Sequence, residues 1–164
     1  MNKLLFAVVP ILLIPLSLMA AVKAGDTPPD YLGPDANGNA VNVSTYKGKV
    51  VVATFWATWC GYCRKELPVL ERMQGVAGTG SLQVVAVNFH EENENFYKVK
   101  RAFKNSPMIL TYDLDSQISK SYGVKVLPNM FIIDKQGKVA YVHVGYGDET
   151  LDQIVNELNG LFAQ

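Results

Sequence analysis

The sequence predicts an α/β fold, a central mixed sheet flanked by helices on both faces, with a β-hairpin added at the N-terminal end. Three observations carry this. Apolar, β-branched runs such as VVVATFW (Val50 to Trp56) and SLQVVAVNF (Ser81 to Phe89) read as strands buried on both faces. They alternate with segments of helical periodicity. The last two runs, NMFIID and KVAYVHV, are joined by the short turn KQG and so pair antiparallel. Alternation first and a hairpin last gives a mixed sheet.

The chain begins outside that pattern. A short positive start (Met1, Asn2, Lys3) leads into an almost wholly apolar stretch from Leu4 to Val22. The following VKA puts small residues where a signal peptidase reads them, so residues 1–24 read as an export signal cut after Ala24. The alternative is an uncleaved anchor, because 19 such residues nearly span a bilayer. Pro10 and Pro15 weaken a straight helix there, although membrane helices tolerate proline. No cysteine lies near the junction to carry a lipid. Residues 25–164 are then one domain outside the cytoplasm, in the bacterial periplasm or on the outer face of the membrane.

Gly25 to Lys49 is rich in turn formers. Asn37-Gly38 is a tight-turn signal, and Val41 and Val43 alternate as a half-buried strand would. After the strand Val50 to Trp56 a helix is expected from about Gly61 to Gln74. Cys63, Leu67 and Leu70 lie on its core face, and Arg64, Lys65, Glu71 and Arg72 reach water. Pro68 should kink it. Glu92 to Asn105 is a polar helix with Phe96, Val99 and Phe103 at helical spacing. Met108 to Asp113 is a short strand, Asp115 caps a helix through Ser121, and Tyr122-Gly123 ends it. Asp148 caps a last helix with Leu151, Ile154, Val155 and Leu158 toward the core.

With 164 residues, 49% hydrophobic and 18% charged, the chain is globular. Its 15 basic and 15 acidic residues give no excess that would argue for nucleic acid. Without residues 1–24 the balance is 13 to 15, a formal charge of −2 that says little about partners. A monomer is expected.

Both cysteines sit in TFWATWCGYCRKELPVL. As a staple, a bridge from Cys60 to Cys63 closes almost no loop and removes little unfolded-state entropy. As a working pair it is well placed, just past the C-terminal end of a buried strand and at the first turn of a helix. Open α/β sheets put their chemistry at that edge. Unpaired N–H groups and the partial positive charge of a helix start both stabilise a thiolate. Cys60, nearest that end, is the expected exposed nucleophile, and Cys63, one turn in, the buried resolving thiol. Trp56 and Trp59 bring flat apolar surface to the site; either could instead be plain core.

FWATWCGYC, with Pro68 eight residues after Cys60 and VLPNMFIID downstream, resembles the thioredoxin superfamily, most nearly the exported TlpA/ResA-like thiol–disulfide oxidoreductases. YKGKVVV and VVAVNFHEE match the same group, and the resemblance covers Thr27 to Leu161. It implies a thioredoxin fold and three further features. The Leu127-Pro128 bond is expected to be cis and to lie against the cysteines, where the preceding backbone bonds an incoming strand; the plain alternative is a trans proline opening a strand. Glu91 is expected near the pair as acceptor of the Cys63 proton; its alternative is a solvated acid beside Glu92 and Glu94. Tyr62 stands where many relatives have proline, so the intervening turn is less rigid. The substrate surface is then Trp59, Gly61, Tyr62, Leu127 and Pro128.

The resemblance has two departures. Thioredoxin has a buried aspartate where this chain has Thr54, so proton transfer is expected to fall to Glu91 or water. GVKVLPNMF lacks the acidic residue usual in members serving cytochrome c maturation.

The leading expectation is therefore an enzyme without cofactor or metal. It would reduce disulfides of exported client proteins, with electrons from a membrane thiol carrier. A disulfide oxidant or isomerase is the nearest alternative. A copper-delivering module using Cys60, Cys63 and His90 is another, although two cysteines and two histidines, with His143 expected to face solvent, make a full tetrahedral site improbable. A redox-inert binding domain would leave the intact pair unexplained.

Overall fold

The structure, a computed structural model, describes residues 21–91 and 93–164. Among these the elements run β1 (Tyr31–Pro34), β2 (Ala40–Asn42), a 3-10 turn (Val43–Tyr46), β3 (Val50–Trp56), α1 (Gly61–Ala77), β4 (Leu82–Phe89), α2 (Asn93–Ala102), β5 (Ile109–Asp113), α3 (Gln117–Tyr122), β6 (Asn129–Ile133), β7 (Val139–Val144) and α4 (Asp148–Phe162). β1 and β2 form the expected hairpin. The main sheet has the order β5-β4-β3-β6-β7; β3, β4 and β5 are parallel, β6 is antiparallel to β3, and β7 is antiparallel to β6.

That topology brings four segments to one edge. The ends of β3 and β4 lie there because these strands are parallel. The start of β6 and the end of β7 lie there because Phe55 pairs with Asn129 and Asn129 with Val144. The cysteines follow the end of β3 through a short connection, Glu91 follows β4, Pro128 directly precedes β6, and Val144 ends β7.

The sheet has a core on each face. On one, α1, α2 and α4 cover Val50, Val52, Trp56, Val84, Ala86, Met130 and Ile132. On the other, the hairpin and α3 cover Val51, Phe55, Val85, Val87 and Phe131. Phe55, Phe131 and Tyr122 form a triangle of rings with centroids 5.1–5.9 Å apart, and the Tyr122 hydroxyl donates to Pro29 O at 2.6 Å. The hairpin is held at its crossing of β5 by the Thr111 hydroxyl, which donates to Leu32 O at 2.5 Å. Gly33 lies there with φ +101, and a Cβ on it would come within 2.9 Å of Tyr112 O, so a side chain is excluded.

Several details differ from the sequence reading. α1 continues three residues past Gln74 and stops at Gly78, whose φ is 75°. Asp113, not Asp115, is the main cap of α3: its carboxylate accepts from Ile118 N (3.1 Å) and Ser119 N (2.7 Å), while Asp115 reaches only Gln117 N. α4 is preceded by Gly147 as N-cap, with Asp148 already its first residue. Its core face is Ile154, Leu158 and Leu161, and Val155 is exposed. His143, expected in solvent, is buried against α4, where its Nε2 meets Glu157 Oε2 at 2.7 Å. The overlying helix, unseen in the strand's own pattern, covers it.

Most of the expected export signal, residues 1–20, lies outside the described residues. Of the remainder, Val22 packs on the second core and donates its N–H to Tyr122 O (3.2 Å), so this residue belongs with the domain. Among the described residues no helix is long and apolar enough to cross a membrane.

Candidate active site

Cys60 and Cys63 are joined as a disulfide at the start of α1. Cys60 is the N-cap: its backbone is extended (φ −80, ψ 108), and its Sγ accepts from Cys63 N at 3.2 Å. A sulfur thus occupies the place an Asp or Ser oxygen takes at an ordinary helix start, facing donors that have no partner within the helix. Of the two sulfur-bearing residues Cys60 keeps 6% of its surface in solvent and Cys63 none. The difference runs in the expected direction, but Cys60 is far less open than "exposed nucleophile" implies. Any partner must reach it at the helix end.

The expected substrate-facing residues distribute as follows. Trp59 (66%), Gly61 and Tyr62 (60%) stand out into solvent around the pair, whereas Trp56 is core. The Leu127-Pro128 bond is cis, and Leu127 packs on the buried cluster that contains both cysteines. Pro128 is buried, and its carbonyl accepts from Gly145 N at 2.8 Å, which sets the exposed Val144 beside it. Val126, 54% exposed, precedes the pair of residues. Exposed apolar side chains therefore stand at the same sheet edge as a recessed sulfur, as suits an extended peptide held across a reactive atom.

One acid, Glu91, is expected here, and the structure supplies a second. Glu91 is 8% exposed and does not point to water. Its carboxylate accepts from Thr58 N (2.7 Å), from the Thr58 hydroxyl and from Asn88 Nδ2 (2.6 Å). The acid missed in the sequence is Glu66. It lies three residues after Cys63, one helical turn further on the same face, and is 1% exposed. The Thr54 hydroxyl donates to its Oε2 at 2.7 Å. Burial pushes the Glu66 carboxyl up to about 7, and the Thr54 bond offsets that only in part. Thr54 does replace the buried acid of the strand, but the acid has moved to the helix above it. The signal was present: Glu66 shares one face with Cys63, Leu67 and Leu70, a charged residue among core positions.

Two cations reach solvent as expected but are also held. Arg64 is exposed, and its Nη1 donates to Thr58 O at 2.8 Å. Lys65 sits with Nζ 5.9 Å from the Tyr62 ring centroid. Among the described residues no group of three or more His, Cys, Asp or Glu side chains converges as a metal site requires, and the His90 ring is bonded to Ser116 (3.0 Å).

A reducible cysteine pair at a helix N-terminus, at the same sheet edge as a cis proline, defines the class: a thiol–disulfide oxidoreductase of thioredoxin fold. The chain belongs to the Redoxin family, which it matches over residues 23–158. It is 34% identical over 126 residues to the thiol-disulfide oxidoreductase ResA of Geobacillus thermodenitrificans, covering 76% of this chain and 71% of that one. A crystal structure of a thiol:disulfide interchange protein DsbE from Chlorobium tepidum superposes with TM-score 0.76 at 31% identity, over 87% of this chain and 99% of the other. The exposed lipoprotein thioredoxin Etrx1 of Streptococcus pneumoniae gives TM-score 0.62 at 28% identity, over 78% and 96%.

Proposed function

We propose that this enzyme reduces disulfides of exported proteins outside the cytoplasm, with Cys60 attacking, Cys63 resolving and Glu66 accepting the proton. The observation that carries this reading is the buried Glu66 carboxyl, one helical turn behind Cys63. In the reduced enzyme the Cys60 thiolate attacks one client sulfur, forming a Cys60–client disulfide and releasing a client thiolate. The Cys63 thiol passes its proton to Glu66 and attacks the Cys60 sulfur. The second client thiolate leaves, and two electrons have passed to the client. Glu66 is suited to this because an acid titrating near 7 can take and return a proton at working pH. Glu91 is less suited, since both its oxygens already accept bonds. Trp59, Gly61, Tyr62, Leu127 and Pro128 form the surface on which the client strand lies.

A location outside the cytoplasm is supported by the apolar N-terminal stretch and by likeness to an exposed lipoprotein thioredoxin. An enzyme there that ends each cycle as a disulfide requires a donor of electrons, for which a membrane thiol carrier is the proposed source.

The direction of transfer follows from the charges. A strong oxidant needs a thiolate held by several favourable charges. Here the helix terminus and Arg64 favour the thiolate, and the carboxyls of Glu66 and Glu91, when ionised, oppose it. The reduction potential is expected nearer thioredoxin at about −270 mV than DsbA at about −120 mV. Equilibration against glutathione or dithiothreitol, with the two states separated by alkylation, measures it. A value above about −160 mV would replace the reductase reading by an oxidase or isomerase.

A further inference from the structure

Thr58, two residues before Cys60, is held from two sides. Its N–H and hydroxyl both donate to Glu91, and its carbonyl accepts from Arg64 Nη1 at 2.8 Å. One grip comes from the sheet and the other from the helix. Glu91 is presented by a turn that is itself braced. His90 takes φ 47°, unusual for a residue with a side chain, its N–H donates to Asp113 O (3.1 Å), and its ring meets Ser116 Oγ (3.0 Å). Asn88 fixes the Glu91 carboxylate from the end of β4 at 2.6 Å. On the helix side, a Cβ on Gly61 would lie 3.9 Å from Arg64 Nη2, so the guanidinium lies over the first residue between the cysteines.

We propose that Glu91, Thr58 and Arg64 form a clamp that positions Cys60. The clamp sets the direction of the Trp56–Cys60 connection, and with it the stand of the Cys60 sulfur against the helix N-terminus and an incoming disulfide. Arg64 also keeps a positive charge at that end. All three are positioning residues: none of them takes the Cys63 proton or touches the transferred electrons. A bound sulfur misplaced by a fraction of an ångström loses both its helix-terminal stabilisation and its line of attack, which is where small displacements cost most. The bonds span three separate segments, so the clamp also explains why an exposed arginine, free to rotate in water, is instead folded back. The proposal rests on the assignment of Cys60 as the attacking thiol.

The test uses the full chain with Cys63→Ser, so that iodoacetamide reports Cys60 alone, and the same substitutions with both cysteines for disulfide exchange. Thr58→Val and Arg64→Met are expected to raise the pH midpoint of Cys60 alkylation by roughly half a unit, about the effect of one charge or dipole at a helix end. Thr58→Val is expected to slow exchange by about tenfold, and Glu91→Gln, which removes the negative charge that its three donors face, by about ten- to a hundredfold. Thr58→Ser keeps the hydroxyl and restores the midpoint; Arg64→Lys restores it in part. Folded variants that alkylate with the unaltered midpoint overturn the clamp, whatever their stability. Should Thr58→Val fail to fold, Arg64→Met, at an exposed side chain, decides the matter alone. Parent protein that exchanges no disulfide overturns the proposed function instead, and the alkylation midpoints, which need no client, still judge the clamp.

Discussion

Cys60→Ser is expected to abolish disulfide exchange, a loss of roughly three orders of magnitude or more, as for removal of any attacking nucleophile. Cys63→Ser is expected to lose turnover too, but to accumulate mixed disulfides with client proteins. The asymmetry has a structural cause. Only Cys60 has any surface in solvent, and only its sulfur stands at the helix terminus, accepting from Cys63 N at 3.2 Å. A client disulfide can meet Cys60, while Cys63 can meet only the bond that Cys60 has made. Purification of each variant from its host under acid quench, followed by nonreducing electrophoresis, reads the outcome. Equal trapping by both, or trapping by Cys60→Ser alone, reverses the polarity. The captured proteins would also name the clients, and an apolar residue beside their reactive cysteine is expected from the exposed Trp59, Tyr62, Val126 and Val144.

Glu66→Gln is expected to stabilise the oxidised protein above pH 7 while slowing exchange. In the folded chain the carboxyl titrates near 7, against 4.5 for the ordinary side chain. Below 4.5 both folded and unfolded chains hold the proton, and Glu66 imposes no penalty. Between 4.5 and 7 the unfolded chain releases it and the folded chain does not, so stability falls as pH rises. The loss reaches about 3 kcal/mol above pH 7. Glutamine keeps an oxygen for the Thr54 hydroxyl and cannot ionise, so the variant should lack this slope. Its melting temperature at pH 8 should exceed the parent's by roughly 6–12 °C, with little difference at pH 4.5. Exchange should slow by about ten- to a hundredfold, because the Cys63 proton has lost its acceptor. Thermal unfolding of both proteins across that range is the measurement. Parallel pH profiles would mean that Glu66 is charged and solvated in the fold, and the proton-acceptor role would fall with it. The combination of a gain in stability and a loss in rate distinguishes a group kept for chemistry from one kept for packing.

The sequence by itself determined the order of elements, the edge of the sheet at which they act and the reactive pair. Buried strands are long unmixed apolar runs, and their period survives any detail of packing. Cys60 and Cys63 belong to a local unit, strand end to helix start, whose geometry follows from neighbours a few residues apart. Pro128 is placed by one antiparallel register, Phe55 to Asn129. What only the tertiary structure decided is the fate of the polar side chains around that pair. Glu66 is buried because Thr54, 12 residues earlier, sits beneath it; Glu91 is held because Thr58, 33 residues earlier, turns toward it; His143 is covered because Glu157 reaches it from another element. Arg64 turns back for a carbonyl six residues before it. A hydrophobic side chain has one place to go, set by a non-directional effect that the pattern records. A polar or charged one can be satisfied by water or by a specific partner, and which it meets depends on distances between segments that no local pattern contains.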